Sequence, residues 1–332
     1  MCKMHKDIIN FSVLILRSMN HFFAKWKMEN ETYFYLMLFE NIGYIRYAFF
    51  SLGFIIYCAI VFFNALIILT IFLEGTLHLP MYILISCLSV NSVFGTTAFF
   101  PTLLNDLLFD THSVSRAACF LQAYVIFSYA SNENTILMLM AFDRYVAISK
   151  PLQYNNIMTP KVLSVLISIG WIYPMLCVGI GGILSARLTM CGNKLWKVYC
   201  HNWEIVKLSC ANTIINNVFG FFVMTTTVIM PLSFILYSYI KILIICRKSS
   251  LDFRRKAYQT CIPHIVILLN FSVALFCEIT LSRLATLELP IGLSIILSLE
   301  FLIVPPILNP LVYGLKFPEI RKKIIWIIKA CK

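Results

Sequence analysis

Charge is scarce in this chain. Only 13% of its 332 residues are Asp, Glu, Lys or Arg, and acids are the rarer sign, 15 against 27 basic residues. Meanwhile 60% of the chain is hydrophobic and its mean hydropathy is +0.84. A soluble domain of this size cannot hide so much apolar surface, which leaves a polytopic helical membrane protein. Catalytic signatures are missing too. There is no glycine-rich phosphate loop, no His-Glu-x-x-His and no Cys-x-x-Cys, and the six histidines are scattered. These absences argue against an enzyme and leave no metal or cofactor set. There is no internal repeat of about 20–50 residues, no Gly/Ser linker and no charged tail long enough for a second domain.

What the chain has instead is long apolar runs. Seven qualify as helical spans: residues 47–73, 80–105, 117–142, 162–184, 213–240, 262–277 with its flanks, and 290–312. A bilayer crossing needs about 20 residues. As a straight helix the first run would be ~40 Å long, more than a ~30 Å hydrocarbon core, so it should tilt or protrude. The sixth is the shortest, and residues 256–259 can extend it into the cytosol. The expected fold is therefore all-α, a bundle of seven transmembrane helices.

The net charge of +12 suggests nucleic acid until its distribution is read. With the N-terminus outside, inner segments carry 15 of the 27 Lys and Arg, outer loops six, and the N-terminal segment the other six. That bias places the N-terminus outside and the C-terminus inside. Residues 1–46 are then extracellular, 47–316 form the membrane domain and 317–332 a cytoplasmic amphipathic tail. The tail's basic and aliphatic residues read as a short interfacial helix on anionic lipid. Cys119, Cys191, Cys200 and Cys210 fall outside, where oxidation favours disulfides; four cysteines allow three pairings. Asn30-Glu31-Thr32 is a glycosylation sequon just outside the first helix. Residues 1–27 read as an extension upstream of a start at Met28. The run from Ile8 to Leu16 is short for a signal sequence and has no small-residue cleavage site.

The most informative stretch is ENTILMLMAFDRYVAISKPLQ, residues 133–153. An apolar helix carries one acid inside it, Glu133, and ends in Asp143-Arg144-Tyr145, then polar residues and Pro151. An acid–base pair where hydrocarbon gives way to water can hold a helix end shut and later release it. Asn309-Pro310-Leu311-Val312-Tyr313 lies at the inner end of the seventh run. Pro310 removes a helix hydrogen bond, so the helix can bend there, and Asn309 and Tyr313 share roughly one face. The inner end of the sixth run reads Lys256-Ala257-Tyr258-Gln259-Thr260-Cys261-Ile262-Pro263-His264, and Ser238-Tyr239 lies near the end of the fifth. Pro231 is expected to bend that fifth helix.

Asp143-Arg144-Tyr145, 24 residues after Cys119, resembles rhodopsin-like G-protein-coupled receptors. MAFDRYVAISKPLQY (140–154) and PPILNPLVYGLK (305–316) resemble the olfactory receptor branch, and the likeness covers about residues 28–323. It implies Cys119–Cys200 and Cys191–Cys210 disulfides. It implies a G-protein switch of Asp143, Arg144, Tyr145, Tyr239, Asn309, Pro310 and Tyr313, in which Arg144 leaves Asp143 when helix 6 swings out. It places a small ligand among the outer halves of helices 3, 5, 6 and 7. Candidate contacts are Phe127, Ala130, Ser131 and Asn134 on helix 3, Val223, Thr226 and Thr227 on helix 5, and Ser272, Leu275 and Ile279 on helix 6. Each of these positions also has a plain reading as helix packing. The implied partners are a small odorant, a heterotrimeric G protein that raises cyclic AMP, and plasma-membrane lipid, with no nucleic acid and no cofactor. The alternatives are a non-olfactory rhodopsin-like receptor for another small molecule or a peptide, and a transporter.

Two departures stand out. Phe63 replaces the small residue that usually precedes Asn64. Asn91 stands where many rhodopsin-like receptors place a sodium-binding aspartate. Glu133 therefore has two readings: a structural hydrogen bond to Asn91 or Asn309, or an ion or protonation role. Glu300 in helix 7 has the same ambiguity. No acid lies between Ala117 and Ser131, where an amine receptor would want a counter-ion.

Overall fold

The computed structural model describes residues 33–37, 43–109, 111–283 and 291–330; Asn30 lies outside them. The described chain is mostly helical. Its principal helices are α1 (Ile45–Leu73), α2 (Pro80–Phe109), α3 (Arg116–Ser149), α4 (Pro160–Ala186), α5 (Ile214–Arg247), α6 (Leu251–Arg283), α7 (Ile291–Lys316) and α8 (Pro318–Ala330). Among the described residues, α1, α2, α4 and α5 are long and apolar enough to cross a membrane. The α7–α8 pair, bent by 92°, would make a fifth. α3 is more polar because it is enclosed: Ser128, Ser131, Asn132, Glu133, Asn134 and Thr135 are all buried. A helix wrapped by other helices can carry polar groups that a lipid-facing helix cannot.

Local chemistry sets the helix ends. The Ser115 and Thr159 side chains accept from the Ala118 and Val162 N–H groups at 3.4 and 3.3 Å, capping α3 and α4. Pro160 then occupies the first turn of α4, where a missing N–H costs nothing. Inside the helices, proline leaves a carbonyl four residues back without its partner. Three such carbonyls are met by side chains from neighbouring helices. Thr135 Oγ1 donates to Gly170 O at 2.8 Å, opposite Pro174. Tyr129 OH reaches Phe301 O at 3.4 Å, opposite Pro305. Asn64 Nδ2 donates to Pro306 O at 2.9 Å, opposite Pro310. At these three prolines a loosened helix turn becomes a polar joint to another helix. In α5 the irregularity expected from Pro231 takes the form of a π turn over Thr225–Ile229.

α3 packs against α2, α4 and α5, while α7 packs against α1, α2 and α6. The core between them includes Leu84, Leu88, Phe99, Ile126, Tyr129, Met140, Phe271 and Leu302. α2 comes very close to α3 at Gly95, where any Cβ would overlap the Tyr129 ring. At one end sits a three-stranded sheet of order β2-β1-β3. Its strands are β1 (Tyr33–Leu36), β2 (Ser113–Ser115) and β3 (Lys194–Leu195). β1 runs antiparallel to β2 and parallel to β3, and buries Phe34 and Leu36 against Cys119, Phe120 and Leu195.

Candidate functional site

At the C-terminal end of α3, Asp143 is fully buried and both its oxygens are engaged. Oδ2 accepts from Arg144 Nη2 at 2.7 Å and Nε at 3.0 Å; Oδ1 accepts from the Tyr154 hydroxyl at 2.6 Å. Tyr154 is positioned because Pro151 follows the end of α3 and the chain re-enters a helical turn at Tyr154–Ile157. Burial, then the bond to the Asp143 carboxylate, pushes the Tyr154 phenol above its ordinary range. Sequence reading identified Asp143 and Arg144 but not the tyrosine that closes the pair. Tyr145 is only partly buried beside them, while Tyr239 on α5 is buried in the same core. The Tyr313 hydroxyl lies 3.0 Å from His264 Nδ1, joining α7 to α6, and its ring also meets Phe317. Below, Lys323 of α8 bonds Glu74 at 2.7 Å and holds that carboxyl below its usual pKa.

One layer further in, Glu133 joins three helices. Its Oε2 accepts from Asn91 Nδ2 and its Oε1 from Asn309 Nδ2, both at 2.8 Å. Asn91 Nδ2 also reaches Tyr129 O at 3.0 Å, and Asn309 Nδ2 reaches Ser92 Oγ at 3.3 Å. The hydrogen-bonding reading of Glu133 is thus realised on both sides. The carbonyl oxygens of Asn91 and Asn309 are buried without partners, while the amide nitrogens of both residues face the carboxylate. Glu300 accepts from Asn270 Nδ2 at 2.9 Å, a second polar link between α6 and α7. Among the described residues no group of three or more His, Cys, Asp or Glu could hold a metal ion.

Towards the sheet end lie the candidate ligand contacts. Ser131 Oγ and Thr227 Oγ1 meet at 3.4 Å across α3 and α5, and Thr227 also donates to Val223 O at 2.9 Å. Phe127 stands edge-on to His201 with ring centres 5.0 Å apart. Ala130 and Leu275 are buried, and Ser272 Oγ is buried with no partner. Val223 and Ile279 are half-buried. Thr226 bonds its own helix at Phe222 O at 3.1 Å, and Asn134 bonds Ala130 O at 3.3 Å, so both are committed to local backbone.

The same region holds a charged cluster that the sequence did not reveal. Lys197, in the loop between α4 and α5, places its Nζ 2.9 Å from Glu278 Oε1 and 3.2 Å from Ser298 Oγ. The Tyr199 hydroxyl donates to Glu278 Oε1 at 2.6 Å, and Ser298 donates to Oε2 at 3.0 Å. The only local signal was an acid one residue beyond the sixth apolar run. The loop is held down by disulfides Cys119–Cys200 and Cys191–Cys210, with Cα separations of 5.3 and 5.6 Å. Gln122 on α3 adds a bond to the Cys200 N–H at 2.9 Å.

Comparison with known proteins adds the family. Its model, described as olfactory receptor, matches residues 53–330. This chain belongs to the olfactory receptor family. Human olfactory receptor 51I2 is 34% identical over 79% of the chain and 84% of its own length. Human olfactory receptors 2A12 and 56A5 are 35% and 36% identical over the same share of the chain, and over 86% and 84% of theirs. Membership, with the apolar helices, makes the chain a multi-pass membrane protein, and the family is not one of enzymes.

Proposed function

We propose that this chain is an odorant-sensing G-protein-coupled receptor of the plasma membrane. α1 to α7 all cross the bilayer, with the N-terminus outside and α8 lying on the inner leaflet. Residues 1–46 form the outer segment, carrying glycan at Asn30, residues 47–316 the receptor domain and residues 317–332 the inner tail. A small molecule binds among the outer halves of α3, α5, α6 and α7 and shifts an inactive–active equilibrium. The inner face then activates a stimulatory G protein through Arg144, Tyr239, Asn309 and Tyr313.

The observation that carries this reading is the closed Asp143–Arg144 pair, 2.7 Å apart and sealed by Tyr154. A charge-assisted bond at a helix end, with its acid fully desolvated, has two stable arrangements, closed or exchanged for another partner. A transporter would show paired broken helices in corresponding halves, and the sequence has no such repeat. The test is cyclic AMP in cells expressing the full chain, across a broad odorant panel, beside Arg144→Ala. Some odorant raises the signal in the parent, and the variant, still at the surface, loses most of it. An equal response in the variant refutes the switch. Ligand flux without second messenger would make the protein a transporter.

A further inference from the structure

We propose that Glu278 is the recognition point for a cationic amine ligand, whose ammonium takes the place that Lys197 holds in this structure. The inference rests on the receptor reading and names the chemical class of ligand. Lys197, Tyr199, Glu278 and Ser298 are each at least nine-tenths buried. A carboxylate so placed requires a cation, because removing one partner of a buried pair leaves an uncompensated charge. The two charges differ in how they are anchored. Glu278 lies within α6 and cannot leave the interior without moving the helix. Lys197 lies on a loop between Trp196, which is 58% exposed, and Val198, three residues beyond the exposed Lys194. A lysine carries a strongly hydrated ammonium on a flexible four-carbon stem, so a rotation returns it to water. The cation is therefore exchangeable and the anion is fixed.

That asymmetry selects ligands by charge. An amine that displaces Lys197 restores both of its bonds, to Glu278 Oε1 and Ser298 Oγ. A neutral molecule in the same place leaves Glu278 with the Tyr199 and Ser298 hydroxyls and with His201 Nε2 3.7 Å away, but without the fixed ammonium charge at 2.9 Å. A carboxylate sets a second negative charge beside the first. The surroundings suit an amine with an apolar body. The Tyr199 ring lies 6.4 Å from Phe99, 6.2 Å from Phe301 and 5.9 Å from His201, and Phe127 packs on His201. The counter-ion absent from the outer half of α3 is thus supplied by α6, with the loop lysine acting as an internal competitor.

The test uses the full-length receptor purified in lipid nanodiscs, read by thermal unfolding. Probes share carbon skeletons: hexylamine, hexanol and hexanoate, then 2-phenylethylamine, 2-phenylethanol and phenylacetate. Amines raise the unfolding midpoint of the parent, while the alcohols and acids leave it in place. Lys197→Met removes the competitor and strengthens amine binding about tenfold or more. Glu278→Gln abolishes it; should either variant not fold, the difference between amine and alcohol on the parent still decides. Equal effects of amine and alcohol overturn the proposal, as does no amine effect on either the parent or Lys197→Met. Cyclic AMP measured in parallel separates the two claims. Amine stabilisation without signal keeps the site and removes the receptor reading. Signal from alcohols or acids with no amine stabilisation keeps the receptor and removes the site.

Discussion

Glu133 shows how one residue holds a helix interface. An acid near mid-membrane costs about 3 kcal/mol on insertion scales unless it faces partners. Here its two oxygens take one amide each from α2 and α7. Glu133→Ala would leave both amides buried and short of an acceptor, at about 1–3 kcal/mol apiece. Glu133→Gln keeps one acceptor and should lose roughly half as much. The expected order of thermal midpoints for purified receptor is parent, then Glu133→Gln, then Glu133→Ala. A Glu133→Ala midpoint equal to the parent's would show that the two bonds contribute nothing. The sequence made this site legible because an acid inside an apolar run has few partners and the asparagines were visible on the neighbouring runs. Lys197 and Glu278 were not legible for the opposite reason. They are 81 positions apart, and nothing local to a loop lysine says which helix it will reach.

At the scale of elements, α3 is the axis and its closest neighbour is α2. Gly95 permits that approach, since the Tyr129 ring occupies the space a side chain would need. Gly95→Val should destabilise the receptor by about 1–3 kcal/mol through overpacking, visible as a lower midpoint and weaker surface staining. Undiminished surface expression and an unchanged midpoint would mean that α2 shifts without cost. The same scale explains what else the sequence withheld. Pro310 was readable as a bend, yet the donor that answers it, Asn64, comes from another helix, as do Thr135 and Tyr129, which answer Pro174 and Pro305. The helices themselves were legible because hydropathy and length decide them. α2 and α3 run a few residues further than the apolar stretches, and α6 (Leu251–Arg283) is about twice as long as its apolar run, as polar ends continue a helix out of hydrocarbon. The sheet was not legible, because β1, β2 and β3 are two to four residues each and pair only once the loops are brought together.

Across the whole molecule, polar links tie α6 to its surroundings at three depths. They are His264–Tyr313 towards the Asp143 end, Asn270–Glu300 between, and Lys197–Glu278–Ser298 towards the sheet end. On the proposed reading, a ligand that rewrites the link at Glu278 would change what α6 and α7 share, and the pair of Asp143 with Arg144 would turn that change into a signal. The most direct measurement compares cyclic AMP in cells expressing the parent, Asp143→Asn and Arg144→Ala at matched surface levels, with no odorant added. Asp143→Asn keeps shape but removes the charge that holds Arg144, so basal signal should rise several-fold. Arg144→Ala removes the contacting group, so its signal should stay at or below the parent's. Asp143→Asn at or below the parent's level would contradict the closed pair as the restraint on signalling.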